Sequence, residues 1–152
     1  MVFARLVQFI EEHYEPISNR ILDRIRGDGK LSHLQRISQG DLEEMGQRLV
    51  KNLSHWLLEA QRGEVERRYE DIGKQRFREG VPLHELVWGL LLVRRCVVDY
   101  VREQGLAQCT VDIYAEEELE HRMDELFDEL CFHLVRGYEV ELRKATHLAA
   151  AV

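Results

Sequence analysis

Glu79-Gly-Val-Pro-Leu-His-Glu-Leu-Val-Trp-Gly-Leu-Leu-Leu-Val-Arg-Arg-Cys-Val-Val-Asp-Tyr-Val101 is the stretch on which the fold class turns. Gly80 and Pro82 end one helix and start another, because proline suits a first helical turn whose N–H has no partner to lose. From Leu83 to Val101 apolar residues occupy nearly every side of the cylinder. A helix apolar all round either spans a membrane or lies at the centre of a larger α-domain. Arg94, Arg95 and Asp99 interrupt this one. Its longest unbroken apolar run, Leu86 to Val93, falls far short of the roughly 20 residues a bilayer demands. The segment therefore reads as a core helix with its neighbours arranged around it.

Every other assignable segment is helical as well. Phe3, Leu6, Val7 and Ile10 trace one face, Pro16 interrupts, and Ile17, Ile21 and Ile25 trace another. Gly27-Asp-Gly29 supplies a stop, and Leu31 to Gly40 reads as a loop or a short turn of helix. Asp41 with Glu44 three residues on resembles a helix cap. Leu42, Met45, Leu49, Leu53, Trp56, Leu57 and Ala60 then follow at helical spacing, with Gly63 as the expected stop. Val65, Tyr69, Ile72 and Phe77 mark the next helix. Along the core helix the small residues Gly89 and Cys96 offer a place for close helix approach, and Gly105 ends it. Thr110 can cap the last helix.

That last helix has no proline or obvious stop from Val111 to at least Lys144. About 34 residues at roughly 1.5 Å each span about 50 Å, more than the diameter of about 38 Å implied for a compact domain of this size. It must kink, with Gly137 the expected place, or project. Leu126, Leu130, His133, Gly137 and Val140 follow a 4-3-4-3 spacing, the pattern of a short helical pairing seam. This stripe is the expected homodimer contact, with Phe127, Leu134, Tyr138 and Leu142 alongside.

With 152 residues and 45% hydrophobic composition the chain is expected to form a single helical sensory or regulatory domain over residues 1–152. No apolar segment with a small-residue cleavage site follows Arg5, and Cys96, Cys109 and Cys131 form no paired motif, so a cytoplasmic protein with reduced thiols is expected. Between Asp112 and Glu129 nine acids face one base, Arg122, so this segment holds −8 of the net −7 and the remainder +1. Acids near a helix N-terminus complement its dipole. No basic stripe is present to neutralise phosphates, and nucleic acid is not an expected partner.

The histidines are the first place to look for chemistry. Glu118-Leu-Glu-His121 puts a carboxylate and an imidazole on one helix face, but a di-iron bundle needs a second such pair and two further glutamates. Cys131-Phe-His133 fails as a metal pair because residues two apart on a helix diverge. No metal, cofactor or catalytic residue is therefore expected. His133, on the apolar stripe of the last helix, is open to three readings: a core histidine with one hydrogen bond, a ligand contact, or an axial haem ligand. Arg95 and Asp99 are spaced for a salt bridge. Arg94 points nearer the apolar side and must find an anion, either a carboxylate of the last helix or a bound ligand. A pocket, if formed, is expected between the core helix (Trp88, Arg94, Cys96, Tyr100) and the last helix (His133, Tyr138).

Arg76-Phe-Arg-Glu-Gly-Val-Pro-Leu-His-Glu-Leu-Val87, continuing through Leu91-Leu-Val-Arg-Arg95, resembles the signature of the N-terminal sensor domain of stressosome co-antagonists of the RsbR/RsbRD type. Phe127-Asp128 followed by Leu134-Val-Arg-Gly-Tyr-Glu139 is similar to that domain's closing helix, which in such proteins leads into a downstream signalling domain. The sequence runs to Val152 with no phosphoacceptor or kinase segment in it. The resemblance implies an all-α, globin-like bundle of about five to six helices with a long C-terminal helix, generally without haem. It also implies a non-enzymatic role in bacterial stress signalling, in which a homodimer relays a ligand or partner signal along its last helix. Two alternatives stand beside it: a haem- or gas-binding globin-like sensor using His133, and a ferritin-like metal protein using Glu118 and His121.

Overall fold

The computed structural model describes residues 2–59 and 61–151. Among these the chain forms six α-helices and no strand: α1 (Val2–Glu12), α2 (Tyr14–Gly27), α3 (Gln39–Val50), α4 (Arg62–Arg78), α5 (Leu83–Glu103) and α6 (Thr110–Ala151). Two 3₁₀ turns, Gly29–Leu31 and Leu34–Arg36, join α2 to α3, and a π-helical turn, His55–Glu59, precedes α4. The all-α bundle with a long closing helix is as the sequence implied. No helix among the described residues is long and apolar enough to cross a membrane.

Local chemistry explains most boundaries. α1 and α2 meet at His13, whose Nδ1 lies 2.8 Å from the Phe9 carbonyl oxygen, and Pro16 sits harmlessly in the first turn of α2. Past Gly27, Gln35 Nε2 donates to the carbonyls of Ile25, Arg26 and Asp28, at 2.7 to 3.2 Å, and so covers the end of α2. α3 starts earlier than expected: Ser38, not Asp41, is the cap, its Oγ accepting from the Asp41 amide at 3.2 Å. Gly80 and Gly105 take left-handed backbone (φ 77° and 61°) after α4 and α5, as a glycine past a helix end can.

The segment expected as one helix from Leu42 to Ala60 is divided. α3 stops at Val50, and the side-chain amide of Asn52 and the indole of Trp56 both donate to the Arg48 carbonyl. Side chains that satisfy a terminal carbonyl compete with continuation of the helix. Ala60 lies outside the described residues. Gly63 is no stop, since it lies inside α4.

α6 is the element that organises the fold. It packs on α1, α4 and α5, and contributes the buried Leu119, Met123, Phe127, Leu130 and Leu134. α5 is the second core element: Leu86, Gly89, Leu92, Cys96, Val97 and Val101 are buried, while His84, Arg95 and Arg102 face solvent. α6 does not kink. It runs unbroken for 42 residues, about 63 Å at 1.5 Å per residue, and its last turns lie beyond the bundle with Leu142 and Leu148 exposed.

Gly137 has another role. A methyl group there would lie 2.1 Å from the Glu70 carbonyl oxygen, and one on Gly73 would lie 2.1 Å from the Leu134 carbonyl oxygen. α4 and α6 therefore touch backbone to backbone. Gly89, the expected close-approach position, meets only the end of the Leu34 side chain, at 3.1 Å from where its methyl would be.

Candidate functional site

The sequence placed a pocket between Trp88, Arg94, Tyr100, His133 and Tyr138, and the structure does not bring these together. The Trp88 indole N–H donates to Asp28 Oδ2 at 2.7 Å, with Lys30 and Arg95 over its ring. Arg94 pairs with Asp124 at 3.4 Å, a carboxylate of the last helix. Arg95 does not pair with Asp99, whose partner is Arg24 at 3.9 Å. Tyr100 stands beside Phe9 and His13 with Arg20 over its ring. The Tyr138 hydroxyl donates to the Val81 carbonyl at 2.8 Å, which holds α6 to the turn between α4 and α5. Cys96 is fully buried, and burial pushes its thiol above the ordinary range.

The seam expected on α6 is turned inward. Leu126, Leu130, His133 and Gly137 are buried within the chain itself, and Val140 is half-buried. Phe132, Leu142 and Leu148 of α6 are exposed, but Leu148 lies on a different side of the helix from the other two. Glu118 and His121 form separate surface pairs, with Arg122 at 3.2 Å and with Glu125 at 3.1 Å. They are not assembled as a ferritin-like pair.

A cavity lies one layer over. α3 packs on α2 and stands off from α4, which leaves about 390 Å³ between them. That is within the size range of small-molecule sites. Its floor is apolar: Ile21 and Ile25 of α2, Leu86, Leu90 and Val93 of α5, and Leu134 of α6. α4 forms a wall with Tyr69, Ile72 and Arg76, and Trp56 of the π-helical turn closes one side. Exposed Asp41, Glu44, Arg48 and Arg68 ring the mouth.

Two polar groups in this wall stand out. Arg76 is buried; it pairs with Glu79 and lies against Met45 Sδ, but its Nε has no acceptor. This Nε is sealed from solvent, a costly state unless something accepts from it. Tyr69 is also buried, and desolvation pushes its phenol well above the usual range, so it remains neutral. His133 does not line the cavity. Its Nδ1 lies 3.9 Å from Glu70 Oε1 at the α4–α6 crossing. An axial haem ligand needs an open apolar pocket over the imidazole, and this cavity does not provide it.

One turn before Gly89 on α5, buried Glu85 fixes the 3₁₀ segment beside the cavity. It accepts from the His33 amide at 2.9 Å, lies 2.7 Å from His33 Nδ1, and accepts more weakly from the Leu34 amide at 3.4 Å. Leu34 is thereby held in the cavity wall against Gly89. Sequence reading missed this carboxylate because a glutamate in a first helical turn reads as a dipole partner.

These features define an all-α domain with an open-mouthed, mostly apolar cavity beside a long closing helix. Residues 15–152 match the model of the RsbT co-antagonist protein rsbRD N-terminal domain, and the chain belongs to that family. It is a regulatory domain of stressosome-type signalling, from a family not known as enzymes. Neither the curated proteins nor the solved structures yielded a match.

Proposed function

We propose that this domain is a cytoplasmic sensory module that binds a small, mostly apolar molecule in the cavity between α3 and α4. It passes the event through α4 to α6, and so to a downstream signalling partner, as a homodimer. One observation carries the reading. The stretch of α4 that walls the cavity, Tyr69 to Arg76, contains Gly73, which touches the α6 backbone. Any ligand that moves this wall must move the α6 contact with it. A ligand with different affinity for two packings of α4 on α6 would shift their populations. The apolar floor favours a ligand with an apolar body, and Arg48 and Arg68 at the mouth favour an anionic group on it. The exposed Phe132 and Leu142 of α6, about 80° apart around the helix, support pairing with a second copy there.

The test uses 1-anilinonaphthalene-8-sulfonate, an apolar anion that suits this lining. Its fluorescence is expected to rise on saturable binding and to fall back in Val93→Trp and Leu90→Trp, which fill the floor. Hydrogen exchange in residues 138–149 of α6 is expected to change when the dye is bound. Dye binding that both tryptophan variants leave intact would overturn the cavity reading. Unchanged exchange in α6 would overturn the relay.

A further inference from the structure

One turn before the glycine contact, α4 and α6 bring together a group of side chains that the cavity does not use. Glu66 and Glu70, four residues apart on α4, face His133 of α6. One carboxylate oxygen from each glutamate and one imidazole nitrogen lie within 4.8 Å of one another. His133 is 8% exposed, and its Nδ1 is buried with no hydrogen-bond partner while lying 3.9 Å from Glu70 Oε1. A buried imidazole nitrogen is ordinarily satisfied. This one is aimed at two carboxylates without bonding to either.

The cation now over the pair is Arg136. Its Nε is 3.2 Å from Glu70 Oε1 and its Nη1 is 3.7 Å from Glu66 Oε1, yet its side chain is 57% exposed. A single guanidinium leaves one negative charge of the two uncompensated and does nothing for His133. A divalent cation would cancel both carboxylates and take the imidazole nitrogen as well.

We propose that Glu66, Glu70 and His133 form a site for a divalent first-row transition-metal cation, with Arg136 as its displaceable cover. Two carboxylates and one imidazole suit zinc, manganese or iron, whereas magnesium and calcium prefer oxygen ligands throughout. Bonds of about 2.0–2.2 Å in a tetrahedral site place donors about 3.3 Å apart. The three groups must therefore close by roughly 1.5 Å, which rotation of the two half-buried glutamates can supply. Three protein ligands leave a further position for water. Because Glu70 also supplies the carbonyl against Gly137, the ion would tie α4 to α6 beside their closest contact. This inference is independent of the cavity reading.

The test is calorimetric titration of the whole chain, stripped with EDTA, with zinc chloride. One zinc per chain is expected. Glu66→Gln and Glu70→Gln are each expected to weaken binding at least tenfold, and His133→Ala to remove it. Arg136→Gln is expected to tighten it by uncovering the carboxylates. Should His133→Ala lose its helical circular dichroism, the two glutamine variants, at half-exposed positions, carry the result. No zinc uptake by the wild type, or equal uptake by the Glu66→Gln/Glu70→Gln double variant, would overturn the site. Unchanged or weaker binding by Arg136→Gln would overturn the cover.

Discussion

Gly73 and Gly137 are reciprocal: the methyl group that either lacks would fall 2.1 Å from a backbone oxygen of the opposite helix. The obstacle on each side is main chain, so no change of rotamer relieves it. Only glycine at both positions permits this separation of α4 and α6.

Gly137→Ala and Gly73→Ala should accordingly be among the most damaging single-methyl substitutions in the chain. Overpacking commonly costs about 1–3 kcal/mol, and with backbone on the other side the upper end or beyond is expected. Gly63→Ala makes the control. Its methyl would meet nothing within 4 Å in the first turn of α4, so a gain of about 0.5–1 kcal/mol is expected. Urea unfolding of the three variants checks this, and a mild effect at Gly137 would refute the close contact.

The Asp28–Trp88 bond should give stability a defined acid dependence. The indole N–H of Trp88, and then the amide of Lys30, hold the Asp28 carboxyl below its ordinary value of 3.8. Its ionised form is therefore favoured by folding. That contribution is complete above about 3.8 and is lost as pH falls through the lowered value. Trp88→Phe should be less stable than wild type at pH 6, with the difference narrowing below pH 4. Denaturant melts across that range read it directly, and a difference that widened in acid would reverse the sign of the argument.

Two faces of α6 should respond differently to substitution. Leu130→Ala, in the buried face, should cost about 2–5 kcal/mol of folding stability whatever the protein concentration. Phe132→Asp with Leu142→Asp, on exposed positions, should leave folding intact and convert the proposed dimer to monomer in light scattering. A doubly substituted chain that stays dimeric would move the pairing surface elsewhere.

Sequence periodicity exposed the helices because their signals are local. The solid run from Leu86 to Val93 declared α5, and glycine and proline marked its ends. The break after Val50 was hidden, since Asn52 and Trp56 end α3 through side-chain bonds to one carbonyl that no spacing rule registers. Arg94 did find its carboxylate on the last helix, in Asp124. The stripe Leu126–Leu130–Gly137 was correctly apolar but misassigned, because an a/d pattern reads the same whether the partner is α4 or a second chain. The cavity and the Glu66–Glu70–His133 group depend on which helices stand side by side. His133 lies 63 residues from Glu70 in the chain, and only packing makes them neighbours.

The unbroken course of α6 has a mechanical consequence. The Tyr138 hydroxyl on Val81 and Arg78 on Glu141 are the final anchors of α6. From Glu141 to Ala151 the helix advances about 15 Å at 1.5 Å per residue. In the proposed relay this segment would act as a lever arm pivoted at the last anchor, and a rocking of about 5° there would sweep its tip sideways by about 1.3 Å. Adjustments small inside the bundle would thus reach the far end of the rod enlarged.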